Sequence, residues 1–254
     1  QANLPHLQNV FAKFRDTPFD PGNVYTVPYG WGMTWLAHNA TYTQDDPRLG
    51  SWALVFESGP QRYSGKLGFT DEREEVMAAA LQYLGHHANT RTQDTLRQAG
   101  ALLLRLKPHI KAFYPGAEIK KALITEDIVV AQSWNGEAVK ARAKNPTVMW
   151  SVPQEGGTGW FDTMAIPKVA PHKFTAEVFM NYMLRPEVAA DNSNTTGYAT
   201  ANQVAVEKYI DPQVASNPAV YPPAETLARV TFLEPIPDDL LPFYEDIWTR
   251  ILGA

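Results

Sequence analysis

Ile128-Val129-Val130-Ala131-Gln132-Ser133, then Trp134-Asn135-Gly136, then Glu137 to Ala143, is the stretch whose reading decides the fold class. The short β-branched run suits a buried strand, the Asn-Gly pair a turn, and the segment after it a helix. A strand that turns directly into a helix is the repeating unit of α/β proteins, and it presents ligand contacts at the strand end.

The same alternation continues on both sides. Upstream, Val24 to Pro28 and Met33 to His38 read as two short strands separated by Tyr29-Gly30-Trp31-Gly32. Thr70-Asp71-Glu72-Arg73-Glu74 opens a helix, with Asp71 as its cap and Glu74 reaching back three residues later. Val76, Met77, Ala80, Leu81 and Leu84 follow at helical spacing until Gly85 stops the element. A second helix runs from about Thr92 to Leu106, before Pro108. Downstream, Thr147 to Val152 and Phe161 to Ile166 read as strands around the Gly-rich turn Gln154 to Gly159. No helix opens directly after those glycines and no Lys-Ser/Thr follows, so the stretch lacks the features of a phosphate loop. Phe174 to Leu184 and Asp238 to Leu252 are helical, the latter with Leu241, Tyr244, Ile247, Trp248 and Ile251 along one apolar face.

Composition narrows the function classes. A chain of 254 residues that is 44% hydrophobic is long enough for one large domain or two small lobes. A formal net charge of -5 supplies no basic patch for nucleic acid or anionic lipid, so a cationic ligand is the more natural partner. No run approaches the roughly 18 apolar residues of a membrane-spanning helix. The absence of cysteine removes disulfides, thiolate nucleophiles and Cys-based metal sites without identifying a compartment. The opening Gln1-Ala2-Asn3-Leu4-Pro5 has none of the pattern of a signal peptide, so any export signal was removed or never present. His86 and His87 are adjacent and point apart, and His6, His38, His109 and His172 stand alone. No metal site and no cofactor are expected.

Acids and aromatics meet at several element ends: Glu72 with Glu75, Trp134 with Glu137, Trp160 with Asp162, and Tyr198 in Thr196-Gly197-Tyr198. Aromatic faces attract alkylammonium groups by about 0.5 to 2 kcal/mol, and carboxylates add charge-assisted hydrogen bonds. Taken singly, each Trp also reads as core and each Glu as a solvated helix residue. Glu72 and Glu75 share a face at a helix start, where the helix dipole favours negative charge. That spacing is a poor match to two carboxylates flanking a scissile bond, and no Ser-His-Asp arrangement is legible, so no catalytic residue is assigned.

The strings themselves resemble the spermidine/putrescine-binding proteins, the solute-binding components of polyamine ABC transporters. They are Phe19-Asp20-Pro21-Gly22-Asn23, Thr26-Val27-Pro28-Tyr29-Gly30-Trp31-Gly32, Thr70-Asp71-Glu72 through Glu75-Val76, Trp134-Asn135-Gly136, Gln154-Glu155-Gly156-Gly157, Trp160 to Pro167, Leu184 to Ala189, Gly197-Tyr198 and Tyr221-Pro222-Pro223. Each is short, but their order and spacing span nearly the whole chain. The resemblance implies an α/β periplasmic-binding-protein fold of type II, in which two lobes joined by crossover hinge strands clamp the ligand. It also implies lobe boundaries: 1–40 and 163–206 form a first lobe, and 41–162 and 207–254 form the second.

Carried over position by position, the resemblance makes Glu72 and Glu75 the acidic pair for an ammonium group and Trp134 and Trp160 aromatic walls. It makes Asp162 a carboxylate for a central or terminal amine, Tyr198 a phenol at the cleft edge and Glu137 an additional acidic contact, as in putrescine-binding relatives. Where spermidine binders carry a glutamine, this chain reads Phe232-Leu233-Glu234, so ligand length is not read from the family. Family members open with βα units that this sequence lacks, so its first lobe is expected to be incomplete. A fragment of a longer chain, a dimer in which another chain supplies the missing strands, or a natural degenerate form that no longer binds would account for that. The expected function is non-enzymatic capture of putrescine or spermidine outside the cytoplasm, in the periplasm or membrane-anchored, for delivery to a permease. The alternatives are a hydrolase or transferase using Glu72, Glu75 or Asp162, and a polyamine sensor without a transport role.

Overall fold

The computed structural model describes residues 3–17 and 19–253; Gln1 and Ala2 of the opening read for a leader lie outside the described residues, as do Pro18 and Ala254. The chain divides into two compact units, Gln1–Gly32 with Trp160–Pro222 and Met33–Gly159 with Pro223–Ala254. The boundaries expected from the sequence were 40, 162 and 206, and the observed ones follow 32, 159 and 222. Trp160 and Asp162 therefore belong to the first unit.

The reason lies in two strands longer than the sequence suggested. Tyr29-Gly30-Trp31-Gly32 does not separate two strands: β1 runs unbroken over Thr26–Asn39 and carries residues of both units. In the first unit its residues Gly30 and Trp31 pair with Thr200 and Ala199 of β7, Ala199–Thr200. The Gly-rich stretch is likewise only partly a turn. Gly157 and Gly159 lie inside β6, Gly157–Ala165, where a Cβ on Gly157 would come within 2.9 Å of the Thr34 carbonyl oxygen. Gly157 thus admits a neighbouring backbone, and Gly159 the side chains of Val230 and Phe232.

In the second unit, β2 (Leu67–Thr70) runs parallel to β3 (Ile110–Tyr114) and to β4 (Val130–Trp134), while β1 is antiparallel to β4 and β5 (Val148–Ser151). β6 is parallel to β8 (Val230–Phe232), and the strand order is β3-β2-β4-β1-β6-β8. Alternation along β1 separates two cores. Leu36 joins Phe69, Val76, Leu81, Leu103 and Ile247 beneath the helices Arg73–Tyr83, Gln93–Leu106 and Leu241–Gly253. Its neighbour Ala37 joins Ile119, Leu123, Ala131 and Ala138 beneath Glu118–Ile124 and Asn135–Arg142. Because successive strand residues point to opposite faces, one strand feeds both layers. Full burial of a Leu or Phe in such a core contributes about 1.5 to 3 kcal/mol.

Two helix starts differ from expectation. The helix Arg73–Tyr83 is capped by Glu72, without a side-chain bond, so the box expected from Asp71 and Glu74 does not form. Arg73 takes the Glu74 carboxylate instead, at 2.6 Å. Its C-terminus ends as read: Gly85 has φ +80, the His86 amide donates to Leu81 O at 2.9 Å and the Gly85 amide to Gln82 O at 3.0 Å. This is the left-handed closure that glycine allows. At the other end of β4 no turn intervenes, because the helix starts at Asn135, whose side-chain oxygen accepts from the Met33 amide at 3.0 Å.

The first unit is smaller. Helices Pro186–Thr196 and Gln203–Lys208 bury Ala189, Ala190, Ala205 and Ile210, while Phe14 packs against Trp31 and Phe161 at ring distances of 5.9 and 5.6 Å. Asp20 shapes the approach to β1 by accepting from the amides of Val24, Tyr25 and Thr26 and from the Thr26 hydroxyl. Among the described residues no helix is long and apolar enough to cross a membrane.

Candidate functional site

In the second unit the end of β4 and the first turn of the helix Arg73–Tyr83 bring Trp134 and Glu75 together. Glu75 is 7% exposed, and the Trp134 indole Nε1 donates to its Oε2 at 3.1 Å and Oε1 at 3.3 Å. A side-chain hydrogen bond from Thr34 on β1 also reaches the carboxylate. On the remaining side is Thr70, whose Oγ1 lies 3.4 Å from Glu75 Oε2 and 2.9 Å from Gln132 Oε1. A hydroxyl has one proton to give, and the shorter contact to Gln132 takes it.

The Gln132 orientation is set by the Thr70 backbone amide, which can only donate and does so to Oε1 at 3.1 Å. That leaves Gln132 Nε2 buried with no partner among the described residues.

Among the described residues, every group bonded to Glu75 is thus neutral. Burial pushes its carboxyl up to about 7; the bonds from Thr34 and Trp134 oppose that rise, and the Glu72 charge adds to it. Glu72 itself is exposed at the helix cap, and its acidity is weakened by desolvation and by Asp71 and Glu74. A buried carboxylate supported only by neutral donors and one indole has unspent capacity for a cation.

Glu137 stands in a different setting. It is 2% exposed on the helix Asn135–Arg142, with Lys140 Nζ 2.7 Å from Oε1 and Lys120 Nζ 3.2 Å from Oε2. Burial alone would raise its pKa, but the two ammonium groups outweigh that and hold it lowered. Both oxygens thus face cations supplied by the protein itself.

The first unit carries the other three residues. Trp160 and Asp162 are two apart on β6 and so share a strand face. The Tyr198 ring meets the Trp160 ring edge-on at 5.5 Å and 61°. Tyr198 follows Gly197, the left-handed cap (φ +72) of the helix Pro186–Thr196, and its carbonyl accepts from Ser193 Oγ at 2.6 Å. Asp162 is exposed, yet desolvation raises its pKa. The seven candidate residues thus form two groups, Glu72, Glu75 and Trp134 in one unit and Trp160, Asp162 and Tyr198 in the other, with Glu137 set apart by its lysines.

Thr34, Thr70 and Gln132 were not singled out in the sequence. Gln132 stands two residues before Trp134 on β4, and that period of two is the signal that could have found it. Thr70 is only five residues before Glu75 and opens the quoted Thr70-Asp71-Glu72 string, whereas Thr34 lies on another strand, far away in the chain, and carries no local signal. Among the described residues no group of three or more His, Asp or Glu side chains is placed to hold a metal.

The model of the family described as bacterial extracellular solute-binding proteins matches residues 3–222. The chain is 31% identical to the putrescine/agmatine-binding protein of Pseudomonas aeruginosa, over 98% of its own length and 71% of that protein's. It is 33% identical to the spermidine/putrescine-binding periplasmic protein of Salmonella typhimurium, over 99% of its own length and 70% of that protein's. Among solved structures it is similar to the spermidine/putrescine ABC transporter substrate-binding protein PotD of Streptococcus pneumoniae, with a TM-score of 0.81 and 28% identity, over 99% of its own length and 76% of that chain's. The α/β fold is that of the type II periplasmic binding proteins.

Proposed function

The chain belongs to the bacterial extracellular solute-binding proteins, and from that premise we propose that it captures a polyamine outside the cytoplasm and hands it to the permease of an ABC importer. The observation that carries this reading is Glu75: a buried carboxylate beside an indole, bonded only to neutral donors and lacking the counter-charge that a ligand ammonium supplies. In this reading Glu75 takes an ammonium group, Trp134 contacts the adjacent methylenes and Glu72 adds negative potential at the entrance. Within the first unit, Trp160, Asp162 and Tyr198 form a patch of the same chemistry, suited to an amine. The protein's part is binding, with no bond made or broken in the ligand. Glu137 has a structural role, joining its helix to the helix Glu118–Ile124 through Lys120.

Calorimetric titration with putrescine and with spermidine tests the proposal. At least one should bind, and Glu75→Ala and Asp162→Ala should each weaken binding by tenfold or more, as expected for loss of a charged hydrogen bond of about 1.5 to 3 kcal/mol. Heat from neither ligand, with the protein shown to be folded by circular dichroism, would sink it.

A further inference from the structure

The surroundings of Glu75 carry one step further, resting on the reading above. We propose that Glu75 is a proton-linked latch: ligand-free, it holds a proton, and an arriving ammonium group displaces that proton to solvent, so capture acidifies the medium and acid releases the ligand. The balance is simple. A neutral carboxyl and an ammonium cation become a carboxylate, its bound ammonium and one free proton.

Geometry accommodates both states. Ionised, Glu75 accepts from Trp134 Nε1 and Thr34. Protonated, it can turn its hydroxyl toward Thr70 Oγ1, 3.4 Å from Oε2, a group free to accept because its own proton is committed to Gln132. No donor has to move far and none is stranded by the change.

The charges around it favour the neutral form until a ligand arrives. From β1, β2 and β4 the polar side chains facing Glu75 are Thr34, Thr70, Gln132 and Trp134, none of which titrates in this range. From its own helix start the acting charge is Glu72, which repels. Arg73, next door, is committed to Glu74 and to Glu245. Glu137 shows the contrast within the same unit: its two lysines already play the part assigned here to the ligand.

Linkage makes the coupling reciprocal: if ligand expels the proton, protons weaken the ligand by the same factor. With the carboxyl near 7, capture at pH 7 should release about half a proton, rising toward one at pH 6. Apparent Kd should climb about tenfold per unit as pH falls below 7, while primary amines, with pKa values of about 10, stay charged throughout.

The test is calorimetry of putrescine and spermidine binding to the full chain at pH 6, 7 and 8. Each pH is run in two buffers of different ionisation enthalpy, so that the difference counts protons released. Release in the wild-type chain that vanishes in Glu75→Gln, together with a carboxyl carbon resonance of Glu75 titrating near 7 without ligand, supports the latch. Binding with no buffer dependence overturns it and leaves the proposed function standing, as does release that persists undiminished in Glu75→Gln. Absence of binding at every pH removes the proposed function itself. The wild-type measurement and the resonance decide even if the variant fails to fold.

Discussion

Glu75 and Glu137 occupy matching places in two regions of one unit: each is the third residue of its helix, each is buried, and each stands close behind a strand end. One is raised to about 7 and the other is lowered. The helix termini do not account for the difference, since both N-termini favour a negative charge. What separates them is the layer each side chain enters. The helix pair Glu118–Ile124 and Asn135–Arg142 brings in Lys120 and Lys140, whereas the polar neighbours of Glu75 on the opposite face of the sheet are threonines, a glutamine and an indole. Two residues of the same type at the same local position thus end in opposite surroundings, one between two ammonium groups and the other among neutral donors.

The widest gap between them should appear in stability. A carboxyl with a folded pKa above its unfolded value stabilises the folded state fully below the unfolded value, and that contribution is lost as pH rises through the folded one. For Glu75 the window runs from about 4.5 to about 7, and Glu75→Gln should therefore stabilise the ligand-free protein at pH 8 by about 3 kcal/mol. Urea unfolding at pH 5 and pH 8 measures it; a variant no more stable than wild type at pH 8 would break the comparison.

Glu137→Gln should move the other way. Removing one partner of a buried ion pair costs about 3 to 5 kcal/mol, but Lys120 and Lys140 keep 31% and 32% side-chain exposure and regain water. A loss of about 2 kcal/mol is expected in the same unfolding experiment, with the sign opposite to that of Glu75→Gln.

Smaller changes sharpen the picture at Glu75. Trp134→Phe keeps an aromatic wall but deletes the indole donor to the carboxylate, which should cost the ionised form about 1 kcal/mol and lift the Glu75 midpoint by about 0.7 pH unit. Carbon-detected NMR titration would show it, and an unmoved midpoint would mean the indole bond contributes little. Least of all, Glu72→Gln should lower that midpoint slightly, an effect that added salt should mimic, because Glu72 is exposed and its repulsion is screened.

Much of the scaffold is legible in the residues. Apolar spacing marks the helices Arg73–Tyr83, Gln93–Leu106 and Lys173–Met183 to within a residue or two, and Gly85 marks a helix end by its left-handed φ. Local chemistry misled where a long-range contact outbid it. Tyr29-Gly30-Trp31-Gly32 has the composition of a turn, yet pairing of Gly30 and Trp31 with β7, some 170 residues on, keeps the strand extended. Asp71 and Glu74 have the spacing of a capping box, yet Arg73 draws Glu74 away.

For the site, residue type and order sufficed to nominate the acids and aromatics, because a carboxylate at a helix start and an indole at a strand end are positions set by a few neighbouring residues. Which acid would be left without a counter-charge was beyond that reach. Lys120 stands 17 positions from Glu137, and Trp134 stands 59 from Glu75. The energy of a charge depends on every dipole and ion within a few ångströms of it in space, and only the folded chain determines that company.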